Sequence, residues 1–259
     1  METRFVDSAD GTKLRVVRWG DAGRDVLCIG GLAEHAGRYD HVANAFVAAG
    51  WRFTVVEMRG HGHSGGRRSH VFRWSEYVDD VKAVLPLMEG DWVMLSHSMG
   101  GLIACESLNA GVKPAKLVLS NPLLALKLTV PPVKAAAGKV LSKVWPTLAL
   151  ANEVKGEALS RDPAVGIAYN ADPLICHKVT GRWFTEMLAA QTRAMAANYS
   201  VPMAFFLGSA DPVNDPAASK TLAAKKNSFV KVYPDMRHEI FNEIGKEGVI
   251  ADVVAWVAG

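Results

Sequence analysis

The segment Trp92-Val93-Met94-Leu95-Ser96-His97-Ser98-Met99-Gly100-Gly101 passes from an apolar run into a glycine-rich helix start, with a serine pinched between them. A serine on a tight strand-to-helix turn presents its hydroxyl at the tip, the arrangement of a nucleophile elbow. Such a turn crowds strand, helix and serine together, so its neighbours must be small. Gly100 and Gly101 meet that need on one side. On the other, Ser96 stands where the G-x-S-x-G pattern has its first glycine and brings a β-carbon into the crowded turn.

Outward from this turn the chain alternates. Leu14–Trp19, Val26–Ile29, Phe53–Met58, Trp92–Ser96 and Lys116–Leu119 read as short strands. Tyr39–Ala49, Ser75–Met88 and Met99–Asn109 carry apolar residues at helical spacing, and Gly50 and Gly111 follow two of them as C-terminal caps. Alternating strand and helix predicts an α/β protein, a mostly parallel sheet with helices on both faces. From Asn121 to about Ser200 the rhythm stops. That segment is Ala-, Lys- and Leu-rich, without a strand, and broken at Pro131-Pro132, Asp162-Pro163 and Asp172-Pro173. Strands Met203–Leu207 and Phe229–Tyr233 and a closing helix Gly248–Val257 then resume it. The organisation expected is a core of residues 1–120 and 201–259 with a helical cap inserted at 121–200.

A serine hydroxyl is a weak nucleophile at neutral pH and needs a base and an orienting acid. After an elbow of this kind they follow in the order Asp or Glu, then His. Asp211 follows the strand Met203–Leu207, and His238 follows Phe229–Tyr233; both lie beyond C-terminal strand ends, where open α/β sheets place their sites. Asp215 and Asp235 are the alternative acids, whereas His238 is the one histidine after His177. An oxyanion hole needs two backbone N–H groups. Met99 after the serine supplies one, and Leu32, in the loop Gly30-Gly31-Leu32-Ala33-Glu34-His35, the other.

With these residues in place, the chain resembles the monoacylglycerol lipase and lysophospholipase branch of the α/β-hydrolase fold over nearly its whole length. The resemblance rests on Gly31-Leu32-Ala33-Glu34-His35-Ala36-Gly37-Arg38-Tyr39, on Arg59-Gly60-His61-Gly62-His63-Ser64, on the elbow and on Gly208-Ser209-Ala210-Asp211. Ser160-Arg161-Asp162-Pro163 and Ala171-Asp172-Pro173-Leu174 resemble the family's cap region. It implies Ser98 as nucleophile, Asp211 as acid, His238 as base, and Leu32 and Met99 as oxyanion donors. Two positions depart from the pattern: Gly30, where the family usually has the histidine of its His-Gly start, and Ser96.

Composition narrows the remaining classes. With 259 residues, 49% of them apolar, the chain buries a full core without disulfide staples. Cys28, Cys105 and Cys176 are odd in number and lie in apolar stretches, which predicts reduced thiols and a cytoplasmic protein. A net charge of +3 forces no polyanionic partner, and no apolar run has the length of a signal peptide or membrane span. His61 and His63 lack a third ligand nearby, so no metal is expected. The basic run Arg59, Arg67, Arg68 and Arg73 carries no nucleic-acid signature and reads as a solvated loop or a docking face for anionic head groups. His97 reads as packing beneath the site. Leu123 to Leu150 mixes apolar residues with four lysines and reads as helices with one apolar and one cationic face, packed inward on the core or turned toward a membrane surface.

The function expected is a serine hydrolase that cleaves carboxylic esters of fatty acyl chains, monoacylglycerol or lysophospholipid, through an acyl-enzyme and without cofactor. The alternatives are hydrolysis of a peptide or carbon–carbon bond on the same scaffold, or a non-catalytic binding protein.

Overall fold

The computed structural model describes residues 1–127 and 132–259. The strands are β1 (Glu2–Asp7), β2 (Lys13–Trp19), β3 (Arg24–Ile29), β4 (Trp51–Val56), β5 (Val93–His97), β6 (Lys116–Ser120), β7 (Ala149–Ala151), β8 (Lys178–Thr180), β9 (Met203–Gly208) and β10 (Phe229–Tyr233). The helices are α1 (Asp40–Ala48), α2 (Ser75–Val84), α3 (Met99–Asn109), α4 (Pro132–Val144), α5 (Pro163–Ala171), α6 (Gly181–Ala196), α7 (Pro216–Lys225) and α8 (Lys246–Ala258).

Eight strands form one sheet in the order β1-β2-β4-β3-β5-β6-β9-β10. The pairs β1–β2 and β2–β4 are antiparallel, and from β4 to β10 every pair is parallel. Side chains on a strand alternate between faces, and β3 shows the consequence. Leu27 and Ile29 enter a core with α2, α3 and α6, while Val26 and Cys28 enter a second core with α1 and α8. Covered on both sides, the central strands β5, β6 and β9 are buried almost throughout, which is why they read as unbroken apolar runs. Gly50 and Gly111 do end their helices in the left-handed region, at φ +83° and +88°.

The reading missed β1 and α7. Strand β1 is a half-exposed edge whose polar and apolar residues alternate weakly, and α7 is a short Ala- and Lys-rich helix capped by Asp215. Between β6 and β9 none of the described residues adds a strand to the main sheet, but the segment is not free of strand: β7 and β8 pair antiparallel over three residues each, a ladder too short to leave a sequence pattern. The break expected at Pro131-Pro132 begins outside the described residues, and α4 starts at Pro132. On α4 Val133, Val140 and Val144 are exposed beside Lys139 and Lys143, as is Trp145 just beyond, so the inward-packed arrangement does not hold for these apolar residues. Among the described residues no helix is long and apolar enough to cross a membrane.

Candidate active site

Ser98 joins β5 to α3 with φ +52° and ψ −116°. A non-glycine residue at such a positive φ costs on the order of 1–3 kcal/mol and persists only where its surroundings enforce it. Here they do: the Ser98 N–H donates to Ser120 O at 3.0 Å, and the Leu123 N–H donates to Ser98 O at 2.9 Å. A Cβ at Gly100 would lie 2.1 Å from Ile29 O, so α3 meets the end of β3 only through a glycine. Ser96 is accommodated: its hydroxyl donates to Val118 O at 3.1 Å within the sheet.

The loops after β9 and β10 carry Asp211 and His238 to this serine. His238 Nε2 lies 2.9 Å from Ser98 Oγ, and His238 Nδ1 lies 2.9 Å from Asp211 Oδ2. The other oxygen of Asp211 accepts the N–H groups of Val213 (2.8 Å) and Asn214 (3.1 Å), which fixes the carboxylate on its loop. Burial alone would raise the Asp211 pKa, but the His238 charge and hydrogen bond, with those two N–H donors, hold it below the usual carboxylate value. Burial pulls His238 the other way, and the Asp211 carboxylate outweighs it, leaving the imidazole more basic than an ordinary histidine. Asp215 instead caps α7 by accepting the Ala217 N–H, and Asp235 stands on an exposed turn.

Met99 and Leu32 flank the serine. Leu32 lines the cavity over Ser98, and among the described residues neither its N–H nor that of Met99 donates to a protein acceptor. The loop carrying Leu32 is closed by Glu34, whose carboxylate accepts the Gly31 N–H and, at 2.6 Å, the Tyr39 hydroxyl. Glu34 belongs to a buried set of charges to which the sequence pattern assigns no role. Arg38 bridges Glu34 and Glu239, and its guanidinium lies 5.6 Å from the Tyr169 ring centroid. Burial raises the Glu239 pKa despite Arg38. Glu34 and Glu239 stand 205 positions apart in sequence, so only the fold brings them together.

A cavity of about 1060 Å³, mouth included, opens over Ser98 and His238. Its lining is mostly apolar, with Leu126, Leu150, Val179, Trp183, Phe184 and Met187, and also includes Glu34, Glu153, Glu239 and Asn152. No Lys or Arg lines it among the described residues.

The other singled-out residues do structural work. His97 is buried, bonds Ser120 through Nδ1 and packs 4.9 Å from the His238 ring; burial lowers its pKa to about 4. His61 is buried with Nδ1 against Arg59 O, and His63 is exposed. Among the described residues no group of three His, Cys, Asp or Glu side chains is arranged to hold a metal. Arg59 is not solvated as expected: it is buried against Asp80 and Asp10, whereas Arg67, Arg68 and Arg73 are exposed.

With this geometry in view, the chain was compared with known proteins. The family Hydrolase_4, described as serine aminopeptidase, S33, matches residues 21–245. A monoacylglycerol lipase of Mycolicibacterium smegmatis is 35% identical over 244 residues, covering 90% of this chain and 87% of the relative. The monoglyceride lipase of Homo sapiens is 31% identical over 271 residues, covering 97% and 88%. The crystal structure of the Paleococcus ferrophilus monoacylglycerol lipase superimposes with a TM-score of 0.87 at 26% identity, over 99% of this chain and 98% of that one.

Proposed function

We propose, since this chain belongs to the Hydrolase_4 family (serine aminopeptidase, S33) of the α/β-hydrolase fold, that it hydrolyses neutral monoacylglycerols. The observation that carries this reading is the cavity lining around the Ser98–His238 pair, which combines many apolar side chains with carboxyl-bearing ones and, among the described residues, no Lys or Arg. An acyl chain fits the apolar residues. An uncharged polyol head group fits the polar residues; Arg38, the cation beside Glu34 and Glu239, is already ion-paired to both and does not line the cavity, so among the described lining residues a phosphodiester finds no cation of its own.

In the proposed mechanism the Ser98 hydroxyl donates to neutral His238 Nε2 and, as that proton transfers, Oγ attacks the ester carbonyl. The imidazolium formed is stabilised by Asp211, and the carbonyl oxygen, now negative, accepts the N–H groups of Leu32 and Met99. Collapse breaks the ester C–O bond, His238 protonates the departing alkoxide, and glycerol leaves. Water, deprotonated by His238, then attacks the acyl-enzyme and releases the fatty acid and Ser98. No step calls on a metal or organic cofactor. Residues 121–200 serve as the lid over the cavity, and the exposed Val133, Val140, Val144 and Trp145 suit contact with the lipid aggregate that supplies substrate. The free cysteines, two of them buried, suit a reducing compartment, and the cytoplasm is the proposed location.

The test is a paired substrate panel. Saturated 1-monoacylglycerols should gain in kcat/KM as the chain lengthens, each buried methylene contributing about 0.8 kcal/mol, roughly fourfold, until the cavity is full. A lysophospholipid of matched chain should be at least tenfold poorer. Equal kcat/KM for the two head groups would remove the head-group assignment, and a flat response from acetyl to decanoyl would remove the acyl site.

The pH profile follows from the same geometry. His238 must be neutral to take the serine proton, and its pKa is raised by Asp211 above the ordinary value of 6.5. On the acid side, kcat/KM should therefore fall through a single ionisation whose midpoint lies above pH 6.5. A midpoint at or below that value would contradict the His238–Asp211 coupling.

A further inference from the structure

Ser98, Asp211 and His238 come from three separate loops, and one side chain bonds two of them. Asn121 directly follows β6, is 2% exposed and adopts φ +39°, a left-handed conformation that asparagine tolerates better than most residues. Its Nδ2 donates to His238 O at 2.7 Å and to Arg237 O at 3.1 Å, and its Oδ1 accepts the Gly208 N–H at 2.9 Å. Its backbone is engaged as well: the N–H donates to Phe206 O at 3.1 Å, and the C=O accepts Asn214 Nδ2 at 2.8 Å. Asn214 Nδ2 also stands 3.5 Å from Ser98 Oγ, and the Asn214 N–H is one of the two donors on Asp211. The neighbours of Asn121 grip the serine itself through the Ser120 carbonyl and the Leu123 N–H.

Every polar group of Asn121 is thus bonded to a segment that carries, or adjoins, a member of the Ser98–His238–Asp211 set. We propose that Asn121 is a positioning residue for hydrolysis: through its carboxamide and its bond to Asn214 it fixes the distances from His238 to Ser98 and to Asp211. This rests on the mechanism above and deepens it. Asn121 touches no reacting atom. Its effect belongs to geometry, and a displacement of about 1 Å at reacting groups is enough to lower a rate about 100-fold.

The experiment uses Asn121→Gly, which keeps the left-handed backbone available and removes the side chain with its carboxamide, with Asn121→Asp, which keeps size, removes both donors and adds a carboxylate. Wild type and Ser98→Ala are run beside them on one monoacylglycerol. For Asn121→Gly, kcat should fall about 100-fold with KM within twofold, while Tm shows a cooperative fold. Asp211, Glu239, Glu34 and His97 are the titratable groups that act on or pack against His238. With the His238–Asp211 contact loosened, burial regains weight, so the acid limb of kcat/KM should move to lower pH. The low-field proton resonance of His238 Nδ1–H should shift or broaden. Asn121→Asp should show the same loss in kcat with KM held; its added carboxylate itself favours the imidazolium, so the displacement of the acid limb is read on Asn121→Gly.

Should the Asn121 variants fail to fold, Asn214→Ala carries the test, since it withdraws the far end of the same bond and leaves the Asn121 side chain in place. It should lower kcat about tenfold, again with KM held and the acid limb displaced. Turnover within twofold of wild type, or a loss expressed in KM, overturns the proposal. So does a fall in kcat with the pH limb and the low-field resonance unmoved, because that is the mark of general destabilisation. If Ser98→Ala turns over like wild type, the mechanism itself fails, an outcome distinct from any of these.

Discussion

Ser98→Ala is expected to lower monoacylglycerol turnover by about 10⁶-fold, the size of loss seen when the nucleophile is taken from a serine protease triad. It should also abolish covalent labelling by a fluorophosphonate probe. The reasoning is local. Ser98 Oγ is held 2.9 Å from His238 Nε2 at the tip of a strained turn, and among the described residues no second hydroxyl or thiol is bonded to that imidazole. Cys28 and Cys105 are buried, and burial raises both thiols above their ordinary pKa, so neither offers a thiolate in its place. Among the described residues the Ser98 hydroxyl bonds only His238 and, weakly, Asn214, so the variant should fold. Labelling that survives in folded Ser98→Ala would place the nucleophile elsewhere.

Asp211→Asn should cost about 10⁴-fold in kcat, because it changes the tautomer of the base rather than its place. The carboxamide oxygen can still accept the Val213 and Asn214 N–H groups, which turns the NH₂ toward His238 Nδ1. Nδ1 must then accept, Nε2 carries the proton, and the serine has nothing to which it can donate. The residual activity should also lose its acid limb to lower pH, since the carboxylate that raises the His238 pKa against burial is gone. Asp215→Asn and Asp235→Asn should remain within a few-fold of wild type, one being a helix cap and the other an exposed turn residue. A large loss in either, with Asp211→Asn spared, would reassign the acid.

The parts of the fold that were legible are those in which a local pattern carries the information. Central strands covered on both faces must be apolar throughout, and β5 running into Ser98-Met99-Gly100 can only be a strand, a tight turn and a helix. Asp211 and His238 were legible from their order and from the strands before them, and the structure brings them to Ser98. What was not legible depends on residues far apart in the chain. Glu239 lies too far in sequence from Glu34 and Arg38 to be linked to them until the loops after β3 and β10 meet, and Asn121 read only as the first residue of the expected cap. Arg59 was misread because nothing near it in sequence reveals Asp80 and Asp10 as its partners. The β7–β8 pair escaped because three residues are too few to show alternation. In α4 Val133, Val140 and Val144 face outward, and periodicity reveals that an apolar face exists without saying which way it turns.

The central claim is that Ser98 carries the acyl group between the two half-reactions. The most direct measurement is rapid acid quench during turnover of a long-chain p-nitrophenyl ester, followed by proteolysis and mass spectrometry of the peptide that contains Ser98. The expected result is a stoichiometric fraction of that peptide heavier by one acyl group, with fragmentation placing the mass on Ser98 and none of it in Ser98→Ala. Continued product formation with the Ser98 peptide unmodified, or with the acyl group on another residue, would contradict the mechanism.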